Sequence, residues 1–289
     1  MTDTPTEDDG ASTDSDPSTD SDPPIDSDPS AGPRGSAAAA DPPEPDASLG
    51  PGRPTVLVPL AVLEGESLPN GTAELLANAR VVLLGYHVIP EQTATEQARE
   101  QFGETAMSKL DEFAARLTAA GADVETRLVF THDEATTIDR LIYEHDCLAV
   151  LVPNSAPQVD SVLVALRGTV GIGRNTRLVA GLFADAGVAV TLYHVYGEGE
   201  SPEDGESFLG GVRSDLVERG IASDRIETLV EDSDAPLDAI ADRAESHDAV
   251  VMGETDPSVT TFVFGMPSEQ IAERFLGPVL VVQRARPEE

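Results

Sequence analysis

The chain is almost without lysine, cysteine and aromatic side chains. Its 289 residues hold one cysteine, no tryptophan, four tyrosines and eight phenylalanines. A single cysteine excludes an intrachain disulfide and a cysteine-based metal cluster. No histidine or carboxylate set has metal-ligand spacing either, so no metal site is expected. Cys147 adjoins the apolar run 148–152 and reads as a small buried hydrophobe. Cationic residues are scarce: 18 against 53 acidic ones, for a net charge of −35, with Lys109 the only lysine. Such a charge repels nucleic acid and anionic lipid, so neither is an expected partner. No apolar run approaches the ~18 residues of a membrane-spanning helix. No basic stretch followed by an apolar core opens the chain, so no secretory leader and a cytoplasmic location are expected.

What is abundant is acid. Thirteen acids and two arginines in residues 1–53 give −11, which leaves −24 of the −35 on the remainder. The excess is therefore not a property of one segment. At ~1 M salt the Debye length falls to about 3 Å and an acidic surface becomes tolerable, so a halophile's protein is expected. Residues 1–53 are Asp, Ser, Pro, Thr and Ala with Ser-Asp-Pro recurring. They bury too little apolar surface to offset the entropy of ordering, and a disordered acidic tail is expected.

From Thr55 onward short apolar runs alternate with amphipathic stretches. Strands are expected at 56–58, 81–88, 124–130 and 148–152, with helices at 72–79, 94–120 and 133–145. The order then restarts. Val162-Leu163-Val164 repeats Val56-Leu57-Val58 at an offset of 106, Tyr193-His194-Val195 repeats Tyr86-His87-Val88 at 107, and His247-Asp248 repeats His145-Asp146 at 102. Three ordered landmarks at nearly one spacing argue for an internal duplication. The second copy reads helix at 175–186, strand at 188–195, helix at 206–219, strand at 226–230 and helix at 237–246. Alternation of this kind implies parallel sheets with right-handed crossovers.

The second copy continues further than the first. Residues 249–252 read as a buried strand that stops at Gly253, and a polar loop leads to Gly265 and Pro267-Ser268-Glu269, a helix start. Gly277-Pro278 ends that helix and 279–282 is a last buried strand. A loop that leads from a parallel strand into a helix N-terminus is a common anion site. This stretch resembles the C-terminal signature of the universal stress protein family, in which a glycine, two residues, a second glycine, nine residues and a Gly-Ser/Thr pair hold the phosphates and ribose of ATP. The resemblance implies two open parallel α/β sheets of the adenine-nucleotide-hydrolase-like type in tandem. It divides the chain into an acidic tail (1–53), a shortened domain (54–157) and a fuller one (158–286).

The resemblance implies a nucleotide site at Gly253, Gly265, Met266, Ser268, Val195 and Arg167, with departures. Asp256 stands where the second glycine would be, the spacing to Gly265 is eight rather than nine, and Met266 replaces Ser/Thr. The aspartate that meets the nucleotide after the first strand is replaced by Arg167 in the second copy, and by the run Leu60-Ala61-Val62 in the first. No cofactor follows firmly; ATP with Mg is the one the resemblance admits. Gly171-Ile172-Gly173 lacks the third glycine of a dinucleotide fingerprint, since Thr176 stands there, and reads as a turn into a helix. His87 and His194 end matching strands and read as satisfied, partly buried histidines. The histidine–aspartate pairs lack a facing nucleophile. The expected role is a non-catalytic regulatory binding or interaction module with a degenerate nucleotide site and an unknown protein partner; a competent ATP-binding member is the alternative. Only the second copy has the last strand, whose unmatched edge suggests a homodimer through strand 279–282.

Overall fold

A computed structural model describes residues 52–65, 67–154, 158–168, 171–197, 199–253, 275 and 277–284 of the chain. The acidic tail, the loop with Asp256, and the helix expected after Gly265 lie outside the described residues.

Among the described residues, nine strands line up in one sheet in the order β3-β2-β1-β4-β9-β8-β5-β6-β7. The first half contributes β1 (Thr55–Ala61), β2 (Arg80–Val88), β3 (Asp123–Thr131) and β4 (Ala149–Val152), with helices α1 (Thr72–Leu75), α2 (Thr95–Ala120) and α3 (Glu134–Glu144). The second contributes β5 (Ser161–Leu166), β6 (Ala189–Tyr196), β7 (Ile226–Asp232), β8 (Ala249–Gly253) and β9 (Val279–Val282), with α4 (Ile172–Phe183), α5 (Pro202–Glu218) and α6 (Pro236–Ala244). Each half runs outward from its first strand in the same order, 3-2-1-4 and 7-6-5-8. All neighbours are parallel except one pair, β4 with β9.

That pair corrects two expectations. The sequence suggested two separate sheets, but the strands form a single sheet because β9 joins the halves. It pairs in parallel with β8 and, on its other side, antiparallel with β4, in the register Ala149↔Val282 to Val152↔Val279. The sequence also suggested that β9 leaves an edge for a second chain. Both of its edges are filled from within, by β8 and by a strand of the first half that is not its equivalent. The motive for a homodimer through this strand is thereby removed.

Alternation along β9 explains how a four-residue strand seals the seam. Leu280 and Val282 join the large core under α1, α2, α4 and α5, which runs continuously from Val56 to Leu192 across both halves. Val279 and Val281 face the other way, into the cluster under α6 with Phe275. The equivalent face of the first half is a separate cluster under α3, around Ile138 and Leu141. Buried β-branched and leucine runs on both faces are what an all-covered parallel sheet requires. Side chains also cross the seam. Asn78 Nδ2 donates to the Leu182 carbonyl (3.1 Å) and Arg174 Nη2 to the Cys147 carbonyl (2.7 Å). A Cβ at Gly181 would lie 2.7 Å from Pro54 Cδ, so glycine permits the close approach of α4 to the first half. Cys147 is fully buried, and burial pushes its thiol up to about 12.

Helix starts follow local chemistry. Ser201 and Asp204 form a reciprocal capping box with Pro202 at the first turn of α5, and the Asp133 carboxylate accepts from Thr136 N at the start of α3. Under α6, Tyr193 is buried and its hydroxyl donates to Glu231 Oε2 (2.8 Å), which also meets Arg243 Nη2 at 3.2 Å. The Tyr193 hydroxyl first, and Arg243 after it, hold the Glu231 carboxyl below its ordinary range. A depressed carboxylate contributes stability above its unfolded-state value, and that contribution is lost as pH falls through the lower folded-state value. Glu231→Gln is therefore expected to lower the melting temperature at neutral pH and to leave it nearly unchanged at acid pH once the folded-state carboxyl is itself protonated. The effect corresponds to under ~1 kcal/mol because the pair is partly exposed. A melting-temperature difference that is constant with pH would contradict this.

Candidate functional site

The two arms of the second half diverge at β5. From its carboxyl end the chain turns through Arg167 and Gly168 and enters α4, which leads to β6 on one side, while β8 lies on the other. A crevice outside the carboxyl ends of strands at such a reversal is where open α/β sheets bind ligands. A cleft is found there, lined by Ala165, Leu166, Arg167, Gly168, Ile172, Asn175 and Gly253. It spans about 210 Å³ including solvent at its mouth.

The backbone there is shaped by glycine. Gly168 (φ 65°) and Gly171 (φ 78°) adopt left-handed conformations, which β-carbon sterics make unfavourable for other residues. Gly171 is the N-cap of α4 and has no side chain with which to satisfy the first amides of the helix. The helices α1, α2, α3, α5 and α6 each carry an acid in the first turn; α4 carries none. Asn175, one turn on, is only 4% exposed. Its Nδ2 donates to the Gly171 carbonyl at 3.1 Å, and its Oδ1 is buried without a partner.

His194 braces the floor. It is 3% exposed, with Nδ1 2.9 Å from the Leu166 carbonyl and Nε2 2.9 Å from Glu200 Oε1. The Leu166 carbonyl, at the lip of the cleft, is thus tied to the loop before α5. In the first half His87 instead packs edgewise against Phe102 and Phe130, and its Nδ1 has no partner. The expectation of a satisfied histidine describes His194 and not His87.

Of the residues singled out from the sequence, Arg167 and Gly253 meet in the cleft. Val195 is on the adjacent strand with its side chain in the core under α6, and it does not line the cleft. Gly265, Met266 and Ser268 lie outside the described residues. Leu60, Ala61 and Val62, at the corresponding end of β1, are buried, and the Val62 carbonyl accepts from Lys109 Nζ at 3.0 Å. Sequence reasoning missed Asn175. The signal was available: a polar residue between Ile172 and Leu178-Val179 on the inward face of a helix.

Among the described residues, no helix is long and apolar enough to cross a membrane. No protein-family model and no curated protein matches the chain. Solved structures do. A universal stress protein from Archaeoglobus fulgidus DSM 4304 is similar at 18% identity, with a TM-score of 0.55, over 81% of this chain and 97% of that one. A putative universal stress protein from Pseudomonas aeruginosa UCBPP-PA14 is similar at 15% identity, with a TM-score of 0.41, over 81% and 94%. A likeness over 81% of this chain must include strands of both halves. The chain has an α/β fold with a mostly parallel sheet, of the kind seen in universal stress proteins.

Proposed function

We propose that the chain is a tandem universal stress protein that acts without catalysis, as a regulatory binding module in a salt-adapted cell, and that its one ligand site is the β5/β8 cleft. The observation that carries this reading is the meeting of Arg167 and Gly253 at the switch point of the second half. The fold of the similar proteins supports it. So does the chemistry of the lining: among the described residues, none of the seven that line the cleft is a carboxylate, histidine, cysteine or hydroxyl-bearing side chain, so none of these supplies a nucleophile or a general base.

The site is degenerate for ATP. A guanidinium stands at position 167, where the resemblance calls for an acceptor, and a donor cannot replace it. Losing one charged hydrogen bond costs roughly 1.5–3 kcal/mol. By the resemblance Asp256 stands in the phosphate-binding loop, and a carboxylate about 5 Å from a phosphate adds a repulsion of ~3 kcal/mol at an effective dielectric near 20. With part of that repulsion screened at molar salt, the two together weaken binding by about two to four powers of ten. Titration calorimetry of Mg-ATP in ~2 M KCl is expected to give a dissociation constant of about 1 mM or weaker. Micromolar binding would overturn this reading and establish a competent ATP-binding protein instead.

A further inference from the structure

Two groups meet the buried ring of His194, and both are acceptors. Nδ1 lies 2.9 Å from the Leu166 carbonyl and Nε2 lies 2.9 Å from Glu200 Oε1. A neutral imidazole has one N–H and one lone pair. In either tautomer, one ring nitrogen would turn its lone pair toward an oxygen lone pair. The closed bridge therefore holds one proton more than a neutral imidazole and a carboxylate carry between them. Water reaches Glu200, whose side chain is 40% exposed, and a hydrated carboxyl is the stronger acid of the two, so that proton sits on the ring. A cation 3% exposed is tolerated because a carboxylate pairs with it.

Among the described residues, Glu200 is the one charged side chain in contact with the ring. On α5, Asp204 turns to Ser201. On β7, Val230 stands opposite His194 in register, and Glu231 bonds Tyr193 on the other face of the sheet. Beyond β5, Arg167 lines the cleft.

Packing decides which contact opens when the extra proton leaves. α5 lies close over the ring: a Cβ at Gly205 would fall 3.1 Å from His194 Cδ2, and Phe208 stands edge-on with ring centroids 5.2 Å apart. The imidazole has no room to swing away. The Leu166 carbonyl belongs to β5, which is paired on both sides by β6 and β8. Glu200 lies in the connection before α5, and its side chain is the exposed member of the pair. Nδ1 keeps its proton for Leu166, Nε2 is left bare, and the bare nitrogen repels the carboxylate.

We infer that His194 and Glu200 form a proton-operated latch. Closed, it pins the start of α5 to the carboxyl ends of β5 and β6. Loss of the Nε2 proton releases Glu200, and the first turn of α5 loosens. The closed form binds one proton more than the open one, so acid favours closure and rising pH opens it. The first half has no counterpart: His87 packs against Phe102 and Phe130, and its Nδ1 has no partner. The latch does not depend on what the cleft binds, so it stands or falls apart from that reading.

The test is a nitrogen-15 NMR titration of the full chain in ~2 M KCl, reading the ring nitrogens of His194 and the exchange protection of two amides. The Glu200 amide donates to the Gly197 carbonyl (3.2 Å) and the Gly205 amide to the Ser201 carbonyl (3.2 Å), so both report the closed form. Protection factors, which remove the intrinsic pH dependence of exchange, are expected to fall about tenfold at both amides as pH rises. The midpoint should coincide with loss of the Nε2 proton, with β5 and β8 unchanged. Two variants separate a latch from a merely structural contact. Glu200→Gln places an amide donor where it can meet a bare Nε2, so protection should stay high across the titration. Glu200→Ala should be open at every pH. Loss of the proton from Nδ1, protection that does not follow the ring, or a ring that never changes protonation while the chain stays folded would each overturn the inference. So would Glu200→Gln behaving like Glu200→Ala.

Discussion

Replacing Leu280 by alanine is expected to destabilise both halves of the chain at once. Leu280 is fully buried in β9 and belongs to the core shared by the two halves. It is flanked in register by Leu151 of β4 and Val251 of β8. Deleting a buried leucine side chain costs about 2–5 kcal/mol, with the upper part of the range where the surroundings cannot collapse. Strands held on both sides in a closed ladder collapse little. For a chain of this size the loss corresponds to a fall in melting temperature of roughly 5–15 °C. Calorimetry should show one transition that moves as a whole. Hydrogen exchange should accelerate together in β1 and β5, which are far from the substitution in sequence and lie on opposite sides of it in the sheet. Two transitions, of which only one shifts, would mean that the halves fold independently and that the β4–β9 seam is weak.

The second large effect is expected from salt. At neutral pH the residues beyond the tail carry −24 of the −35, and with 53 acids to 18 cations most carboxylates have no cation to meet. The pairs that form, such as Asp215–Arg219 and Glu231–Arg243, are partly exposed and weigh little. Self-repulsion of the compact state is therefore relieved mainly by mobile ions, whose screening length shrinks from about 10 Å at 0.1 M to about 3 Å at 1 M. Circular dichroism is expected to show loss of the cooperative fold on dialysis from ~2 M to ~0.05 M KCl, and recovery on return. A full, cooperative melt at the lower concentration would refute salt adaptation.

The parts of the fold that depend on local pattern were legible in the sequence. The repeated Val-Leu-Val and Tyr-His-Val runs are the cores of β1 and β5 and the ends of β2 and β6, and the alternation of elements gave parallel crossovers. The apolar pattern predicts α5 from 206, whereas the helix opens at Pro202, where the Ser201 and Asp204 capping box starts it. The helix expected from 175 opens earlier, at Ile172, because the chain turns at Gly171 and buries Asn175 one turn on. The pairing of β9 was not legible. An apolar run of four states that a strand is buried on both faces and says nothing of which strands lie beside it. Its neighbour β4 comes from the other half, in the opposite direction, at long sequence separation. The cleft was half legible. The glycine and the residue after β5 marked its place, whereas its polar floor follows from where the α4 turn falls.

One strand that closes two halves also sets an order of events at the ribosome. Val152 waits for Val279, 127 positions later. At ~5–20 residues per second the outer edge of β4 remains unpaired for roughly 6–25 s after its synthesis. Its sequence, Ala-Val-Leu-Val, is apolar and uncharged, the composition that invites pairing with foreign strands. The nascent first half thus has no finished state of its own. Its protection comes from the last strand to emerge, so a stall before residue 279 would release a chain with an open, adhesive edge.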